Sequence, residues 1–251
     1  MNNWFRLLIP CGALLVAGCA AVPASGPDVV SAHARISTAA GPTEAVRYTP
    51  TARSPRGVLV FVHGFLRGPA RHASLAQRLA REGYVVVLPD LPSPLTYGAR
   101  ERDVALVDAW VASAVSSSPD ATPLFIGGFS RGSGIALEVA ARLDASLAQR
   151  LAGVMLIDPV APRRAVQPLL VPVALIAAPT AGCNARGMSF EPIRTTLRPE
   201  VDVTVAGANH CEAESPSDLF CAVLCGPPDA GRQAEFEDAM VAFILAQTRP
   251  R

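Results

Sequence analysis

Apolar segments of strand length recur along this chain, and stretches with helical periodicity separate them. The segments are GVLVFV at 57–62, YVVVLP at 84–89, PLFIGG at 123–128, GVMLID at 153–158, VPVALIAA at 171–178 and VDVTVAG at 201–207. Helical patterns cover about 71–82, 99–115, 132–149 and 234–247. Most segments are apolar without interruption, which is typical of strands covered on both faces. Strands that alternate with helices predict an α/β fold, with a doubly wound, mostly parallel sheet and helices on both faces.

Three polar residues directly follow or end these segments. Ser130 comes after PLFIGGF, Asp158 ends GVMLID, and His210 follows VDVTVAGAN. Ligands of such sheets bind at the carboxyl ends of the strands, so we expect the three side chains to meet there. Their order along the chain, serine, then aspartate, then histidine, is the order of the α/β-hydrolase fold.

The serine lies within a G-x-S-x-G pattern, Gly128-Phe129-Ser130-Arg131-Gly132. Between a strand and a helix, this pattern predicts a nucleophile elbow, in which the serine occupies a strained turn. A glycine-rich turn with positive φ angles is the alternative interpretation. The elbow interpretation requires a base, an acid and an oxyanion hole elsewhere in the chain.

His210 is the predicted base, because it is the one histidine of four that follows the last predicted strand. A serine hydroxyl is a weak nucleophile and needs such a base within hydrogen-bonding distance. Asp158 is the predicted acid, since residues 159–190 contain neither Asp nor Glu. Glu191 and Asp202 are weaker alternatives, because neither ends an apolar segment. The acid orients the imidazole and stabilises the imidazolium.

An oxyanion hole requires two backbone N–H groups directed at the developing negative charge. Arg131, the residue after the serine, is predicted to supply one of them. The other is assigned to Phe65 in Val62-His63-Gly64-Phe65, the loop after the first central strand. His63 in this loop is interpreted as structural. The predicted chemistry requires no metal and no organic cofactor.

The N-terminal segment MNNWFRLLIPCGALLVAGCA has one early charge, Arg6, followed by an apolar run at 7–17. The run is too short to span a membrane, and residues 1–18 are predicted to form a secretory signal peptide. The sequence VAGC resembles the bacterial lipobox, which implies cleavage before Cys19 and acylation of that cysteine. An ordinary signal peptide with an incidental cysteine is the alternative.

Residues 19–45 are rich in Ala, Ser, Pro and Gly and are predicted to form a lipidated tether, with a possible edge strand at its end. Residues 46–251 are predicted to form the α/β-hydrolase domain. The lipobox resemblance, with Ala20 after the cysteine, implies an exported lipoprotein held in the outer membrane or at the periplasmic face by its lipid anchor. The net charge of +1 gives no indication of a nucleic-acid partner. Oligomeric state is not indicated.

Four further cysteines, Cys183, Cys211, Cys221 and Cys225, lie in the second half of the chain. An even number in an exported protein predicts two disulfides. Cys221 and Cys225 are four residues apart on a helix predicted to begin at Ser215, so they share one helix face. Each is therefore expected to pair with Cys183 or Cys211, and both cross-pairings are open. A zinc site is the competing interpretation.

Longer stretches of the chain resemble chlorophyllases and their bacterial relatives. They are FVHGFLRGPARHASLAQRLAREGYVVVLPDL, GFSRGSG and IDPVAP, within a resemblance that covers about residues 57–210. The resemblance implies an α/β-hydrolase fold and esterase chemistry, with Ser130, Asp158 and His210 as the catalytic residues. Two features depart from the family pattern. Phe129 stands where the family usually has histidine, and the cysteine-rich stretch after His210 differs from the expected loop.

The leading hypothesis is a serine hydrolase that cleaves small, apolar carboxylic esters through an acyl-enzyme on Ser130. Other members of the fold cleave amides, lactones or polyesters, so those substrates are alternatives within the same chemistry. A catalytically silent lipoprotein that uses the fold for binding is the alternative from a different functional class. An intact set of serine, histidine and aspartate argues against a silent protein, because binding alone does not require it.

Overall fold

The structure is a computed structural model that describes residues 28–51, 54–92, 100–160 and 166–249. The predicted signal peptide and the predicted acylation site at Cys19 lie outside these residues. Within the described ranges, no helix is both long enough and apolar enough to cross a bilayer.

A single sheet of eight strands passes through the described residues. The strands are β1 (Val29–Thr38), β2 (Gly41–Pro50), β3 (Gly57–Val62), β4 (Tyr84–Asp90), β5 (Leu124–Phe129), β6 (Leu151–Ile157), β7 (Val173–Ala177) and β8 (Val201–Thr204). Their order across the sheet is β1-β2-β4-β3-β5-β6-β7-β8. The pairs β1–β2 and β2–β4 are antiparallel and all other neighbours are parallel. The predicted α/β fold with a mostly parallel sheet is confirmed.

Helices cover both faces of this sheet. They are α1 (Ala73–Arg81), α2 (Arg100–Ser116), α3 (Arg131–Ala140), α4 (Ala145–Arg150), α5 (Phe190–Leu197), α6 (Leu219–Cys225) and α7 (Ala230–Gln247). Buried residues of α1 and α7 pack on one face, and those of α2, α3 and α5 pack on the other. The pattern predicted as one helix over 132–149 forms both α3 and α4, because Asp144 caps a new helix by accepting from the N–H groups of Ser146 and Leu147.

The uninterrupted apolar segments reflect these two cores. In β5, the side chain of Phe125 belongs to the core on the side of α1 and α7, whereas its neighbour Ile126 belongs to the core on the side of α2 and α3. Phe61 and Val60 of β3 divide in the same way. Complete burial of such a side chain contributes about 1.5–3 kcal/mol. Strong packing on both sides holds the carboxyl ends of β3 and β5 together, where the chain reverses its direction across the sheet.

The N-terminal boundary of the folded domain differs from the prediction. Strands β1 and β2 pair from Val29 opposite Pro50 to Thr38 opposite Gly41, and β2 continues the sheet next to β4. The predicted tether over residues 19–45 is therefore corrected, because its second half is a hairpin of the domain. The physical reason is that β1 is an edge strand, and most of its side chains are exposed or half-buried. Its polar composition resembled that of a linker.

Candidate active site

Ser130 forms the turn between β5 and α3. Strand β5 ends at Phe129 and helix α3 begins at Arg131, so Ser130 alone separates them. Its φ is 55° and its ψ is −122°, a conformation that residues other than glycine rarely adopt. The backbone N–H of Ser130 donates to the carbonyl of Ile157 at 2.8 Å, which ties the turn to β6. Strain of this kind persists where surrounding contacts enforce it, and the geometry is that of a nucleophile elbow.

The two glycines of the G-x-S-x-G pattern allow close backbone packing around the serine. A Cβ atom on Gly128 would lie 2.3 Å from the carbonyl carbon and oxygen of Gly132. A Cβ atom on Gly132 would lie 2.2 Å from the carbonyl oxygen of Val62. The obstructing atoms are backbone atoms and cannot rotate away. The first turn of α3 therefore packs directly on β3 and β5, and only glycine fits at either position.

His210 lies 3.0 Å from Ser130, measured from Nε2 to Oγ. Its other ring nitrogen, Nδ1, lies 2.5 Å from Oδ2 of Asp158. Because a carboxylate only accepts, Nδ1 carries the proton, and Nε2 is left to accept from the serine hydroxyl. The ring of Phe129 packs against the imidazole, with 4.6 Å between the ring centroids. The structure thus brings the three predicted residues together, and the residue that departs from the family pattern contacts the histidine.

The Asp158 carboxylate has no exposed surface, and its residue has a positive φ of 39° directly after β6. Its Oδ1 accepts from the backbone N–H of Ala178 at 2.9 Å and from Nδ2 of Asn184 at 3.2 Å. With His210 on Oδ2, donors surround both oxygens. A buried charge is costly unless it is compensated in this way.

The two alternative acids occupy other parts of the surface. Asp202 accepts from the guanidinium of Arg194 at 2.7 and 2.9 Å. Glu191 is exposed in the first turn of α5. Asp158 is the carboxylate that contacts His210, so the geometry favours the choice made from its position after a strand.

The predicted oxyanion donors border the same pocket as Ser130. Phe65 and Arg131 both line that pocket. Arg131 is the first residue of α3, and N–H groups in the first turn of a helix have no acceptor within the helix. Its side chain pairs with the buried carboxylate of Asp103 on α2. Leu66, next to Phe65, has a φ of 54°, so strained backbone lies on this side of the pocket as well. Donation to an oxyanion by these residues stays a prediction.

His63 is buried and directly precedes Gly64 and Phe65. The N–H of Leu91 donates to His63 Nε2 at 3.0 Å, so Nδ1 carries the proton and donates to the Gly64 carbonyl at 2.8 Å. Burial lowers the pKa of His63 to about 4, with a smaller contribution from the positive charges of Arg131 and Arg67. A neutral histidine with both nitrogens occupied by backbone groups supports the loop, in agreement with its structural interpretation.

Arg67 connects this loop to the segment after His210. Its guanidinium donates to both carboxylate oxygens of Glu214, with Nε 2.7 Å from Oε1, and donates to Asp218 at 3.1 Å. Arg71 also pairs with Asp218, at 2.8 Å. The Glu214 carboxylate has no exposed surface, and burial raises its pKa. This ionic cluster joins the loop after β3 to the segment after His210.

The four cysteines form two disulfides in the structure. Cys183 is joined to Cys225, and Cys211 is joined to Cys221. This is one of the two cross-pairings that the sequence left open. Both bonds end on α6, so this helix is attached covalently to the segment of Cys211, next to His210, and to the loop of Cys183, which lies beyond β7.

The start of α6 differs from the prediction. Its N-cap is Asp218, whose side chain accepts from the N–H of Cys221, and not Ser215. The same carboxylate binds Arg67 and Arg71. Asp218 therefore satisfies both the helix terminus and the ionic cluster, whereas the serine was chosen from local sequence alone.

A pocket of about 800 Å³ opens above Ser130 and His210. Its apolar lining residues include Phe65, Leu66, Phe129, Val160, Phe220 and Leu224. Phe220 and Leu224 of α6 contribute to one wall. Two further apolar side chains of this helix lie at the surface, Leu219 at 78% exposed and Val223 at 76% exposed. The site therefore combines a polar reaction centre with an apolar surround, an arrangement common to pockets for small molecules.

The sulfur atoms of Cys211, Cys221 and Cys225 lie within 4.8 Å of one another. Zinc binds cysteine as the thiolate. In the structure all three belong to disulfides, and in that state they offer no thiolate to a metal.

Sequence reasoning missed three residues that support the site. Asn184 donates to Asp158, and Arg67 and Glu214 join the loop after β3 to the segment after His210. Arg67 and Glu214 are 147 residues apart, and no local pattern indicates such a pair. For Asn184 a weak signal existed, since it follows a cysteine expected to form a disulfide.

Solved structures share this fold at low sequence identity. A carboxylesterase named EstE1, from a metagenomic library, is 17% identical, with a TM-score of 0.64 over 92% of this chain and 92% of that chain. An esterase from Pyrobaculum calidifontis is 18% identical, with a TM-score of 0.62 over 87% and 86%. An alpha-beta serine hydrolase homologue from Coxiella burnetii is 16% identical, with a TM-score of 0.62 over 85% and 97%. These similarities establish the α/β-hydrolase fold.

Sequence comparison identifies the family more directly. Among curated proteins, no sequence matches the chain significantly. The family model named Chlorophyllase matches residues 26–183, more than half of the chain, including Ser130 and Asp158. With its α/β-hydrolase fold and this match, the chain belongs to the chlorophyllase family.

Proposed function

We propose that the protein is a serine hydrolase that cleaves carboxylic esters through an acyl-enzyme on Ser130. The observation that carries the proposal is the continuous line of contacts from Ser130 Oγ to His210 and from His210 to Asp158, at 3.0 and 2.5 Å. The serine is exposed to a pocket large enough for a small molecule. Nucleophile, base and orienting acid are arranged as in serine hydrolases of other folds.

The first half-reaction forms the acyl-enzyme. As Ser130 Oγ bonds to the ester carbonyl carbon, His210 Nε2 takes the hydroxyl proton. The carbonyl oxygen becomes an oxyanion, to which the N–H groups of Phe65 and Arg131 donate. The bond between the carbonyl carbon and the alcohol oxygen then breaks, and His210 passes its proton to that oxygen. Asp158 stabilises the imidazolium throughout this sequence.

The second half-reaction restores the enzyme. A water molecule gives a proton to His210 and attacks the acyl carbon. The bond to Ser130 Oγ breaks, the serine regains the proton, and a carboxylic acid leaves. The apolar lining of the pocket, with Phe220 and Leu224 on α6, favours an ester with an apolar acyl or alcohol group. Family membership favours esters over the amides, lactones and polyesters that other members of the fold hydrolyse.

A fluorophosphonate probe tests the proposal directly. Folded wild-type protein should be labelled on Ser130 and should hydrolyse a panel of aryl and alkyl esters, whereas Ser130→Ala should do neither. Asp158→Asn should keep the fold and lower turnover severely; the equivalent change in a serine protease costs about 10⁴-fold. The double variant should be little worse than Ser130→Ala alone, since the residues act as a unit.

Two carboxylate variants are the matched controls for Asp158→Asn. Glu191→Gln and Asp202→Asn should retain most of the activity, because Glu191 is exposed and Asp202 binds Arg194. If either control abolished turnover while Asp158→Asn remained active, the acid would be misassigned. Absence of both labelling and hydrolysis in the wild type would favour the catalytically silent alternative.

We further propose that the enzyme is exported and anchored in a bacterial membrane by acylation of Cys19. The support is the VAGC sequence after a short apolar run. Cys19→Ser should leave the protein unprocessed or soluble, with ester hydrolysis intact. Detergent-phase partitioning and mass spectrometry of protein from its native host would test this, and an unmodified Cys19 in the mature protein would contradict it.

A further inference from the structure

The side chain of Asn184 is completely buried and makes three hydrogen bonds. Its Oδ1 accepts from the N–H of Ala181 at 2.8 Å. Its Nδ2 donates to the Pro179 carbonyl at 3.0 Å and to Oδ1 of Asp158 at 3.2 Å. The amide oxygen thus faces one donor, and the amide nitrogen faces two acceptors. This pattern determines the orientation of the amide, with nitrogen toward the carboxylate.

The loop that carries Asn184 is strained and is held from outside. Ala185 and Arg186 have φ values of 51° and 55°, which are rare for residues with a side chain. The N–H of Arg186 closes the loop by donating to the Ala181 carbonyl at 2.8 Å. Directly before Asn184, Cys183 is joined to Cys225 on α6. A strained conformation is maintained only by contacts that enforce it, and strain of this kind concentrates at functional sites.

We propose that Asn184 is a positioning residue for ester hydrolysis, which holds the Asp158 carboxylate so that Oδ2 faces His210. The inference rests on the proposed function of Ser130, His210 and Asp158. A carboxylate held at one oxygen by a single donor can still rotate about its terminal bond. With both the Ala178 N–H and the Asn184 amide on Oδ1, the plane of the carboxylate is defined and Oδ2 is left to the imidazole. Asn184 acts through Asp158 and does not line the pocket.

A double-mutant cycle separates this role from a general effect on the fold. Asn184→Ala should lower kcat by about tenfold or more, the equivalent of one buried hydrogen bond to a charged group. KM should change by less than about twofold, because uniform substrate binding is retained. In an Asp158→Ala background, Asn184→Ala should cost less than about twofold, because the group through which it acts is absent.

A spectroscopic measurement makes the test independent of substrate. A proton shared between His210 Nδ1 and Asp158 is expected at very low field in the proton NMR spectrum, and Asp158→Ala should remove that resonance. Asn184→Ala should shift it upfield or broaden it while circular dichroism and the disulfides remain unchanged. If the wild type gave the resonance but no ester turnover, the proposed function would fail, and the response to Asn184→Ala would still decide the role of Asn184.

Arg186→Asn is the control for a change in the same loop. Arg186 is exposed, and asparagine tolerates its positive φ, so kcat and the resonance should stay at wild-type values. Should Asn184→Ala fail to fold, Asn184→Ser keeps a hydroxyl in the loop but is one bond too short for the amide contact, and it should show the same loss of kcat. Wild-type kcat and an unmoved resonance in folded Asn184 variants would overturn the proposal. Full additivity with Asp158→Ala would overturn it as well.

Discussion

Ser130 and His210 lie 3.0 Å apart, yet different kinds of contacts hold them in place. Ser130 is held by close backbone packing, in which the first turn of α3 contacts β3 and β5 through Gly128 and Gly132. His210 lies beyond the last strand, in a 3₁₀ turn that begins at the residue itself. Cross-links hold its segment, namely the disulfide of Cys211 and the contact between Arg67 and Glu214.

One part of the site is therefore fixed by the packed sheet, and the other part is fixed by cross-links to neighbouring segments. The first part, which we call the serine end, is Ser130 with the first turn of α3, and the second, the histidine end, is the segment that begins at His210. The serine end gains its geometry from the central strands, which would be packed in any doubly wound sheet of this type. The histidine end has little regular secondary structure. Without its cross-links, the segment would have to be ordered by a few loop contacts, at a cost in conformational entropy of about 1–2 kcal/mol per residue.

Removal of the Arg67 guanidinium should give the largest effect, at the histidine end. Arg67→Met leaves the fully buried Glu214 carboxylate without its partner, and breaking a buried ion pair costs about 3–5 kcal/mol. The free energy of unfolding should be measured by urea denaturation. In the variant, the pKa of Glu214 should be raised further above its value in the unfolded chain, because the positive partner is absent. The contribution of Glu214 to stability then declines as pH rises, so the loss should be greater at pH 8 than at pH 5.

Two further variants sharpen the Arg67 experiment. Glu214→Gln in the Arg67→Met background should recover part of the lost stability, since no buried charge remains. Arg78→Met is the matched control, because Arg78 pairs with Asp238 at the surface, where the two side chains are 39% and 64% exposed. Exposed pairs contribute about 0–1 kcal/mol. Equal losses for Arg67→Met and Arg78→Met would show that the cluster is not a structural cross-link.

At the serine end, the corresponding change is Gly132→Ala. The new Cβ would overlap the Val62 carbonyl oxygen, so α3 must move away from β3, at a cost of about 3 kcal/mol. Turnover should fall further than stability predicts, because the same movement displaces Ser130. Gly68→Ala is the control, since no atom lies within 4 Å of its Cβ position. Wild-type melting temperature and turnover in Gly132→Ala would contradict the packing argument.

The two ends also differed in how far the sequence predicted them. Ser130 was identified by a five-residue pattern between a strand and a helix. The structure explains the two glycines of that pattern, because no side chain fits at either position. His210 was identified only by its order in the chain, as the histidine after the last strand. The disulfide pairing stayed open, because it depends on which loops meet in space. Arg67 and Asn184 were missed for the same reason.

Errors in the fold occurred where composition and local signals were ambiguous. The hairpin of β1 and β2 was assigned in part to a tether, because an exposed edge strand and a linker have similar polar compositions. The start of α6 was assigned to Ser215, a common N-cap residue, although Asp218 caps the helix. By contrast, the central strands were located within two or three residues, because each is buried on both faces.

Loss of the Cys211–Cys221 disulfide should have a smaller effect on stability and a clear effect on turnover. The bond closes a loop of 10 residues, and its removal should lower the free energy of unfolding by about 2.5–3 kcal/mol. The double variant Cys211→Ser and Cys221→Ser should lower kcat, because the segment of His210 loses one attachment. Removal of the Cys183–Cys225 bond provides the comparison, since it closes 42 residues and adjoins Asn184 but not His210. Asn184 keeps its own hydrogen bonds to Ala181, Pro179 and Asp158 in that variant, so we expect a smaller effect on kcat.

The two disulfide variants should rank in opposite orders by stability and by turnover. The longer loop should contribute more to stability, whereas the bond next to His210 should contribute more to kcat at a temperature where both variants are folded. Thiol counts on denatured, non-reduced protein would establish that each variant lacks only its intended bond. Equal kcat values for the two variants would show that neighbouring position does not matter.

The smallest effect concerns His63, a buried histidine that donates to the Gly64 carbonyl next to Phe65. His63 has a pKa of about 4 in the folded protein, compared with 6.5 in its ordinary environment. The unfolded chain therefore binds more protons between these values, and stability declines as pH falls from 6.5 toward 4. From pH 7 to pH 5, this group should lower the free energy of unfolding by about 2 kcal/mol.

His63→Gln should reduce the acid sensitivity, because its side-chain oxygen can still accept from the Leu91 N–H but does not take up a proton in this range. Urea denaturation at pH 7 and pH 5 would measure the difference for both proteins. His33→Gln, at an exposed position on β1, is the control and should leave the acid dependence unchanged. An equal loss of stability in wild type and His63→Gln would show that protonation of His63 does not contribute to the acid sensitivity of the fold. A smaller loss in His63→Gln would show that the neutral form of His63 stabilises the folded protein.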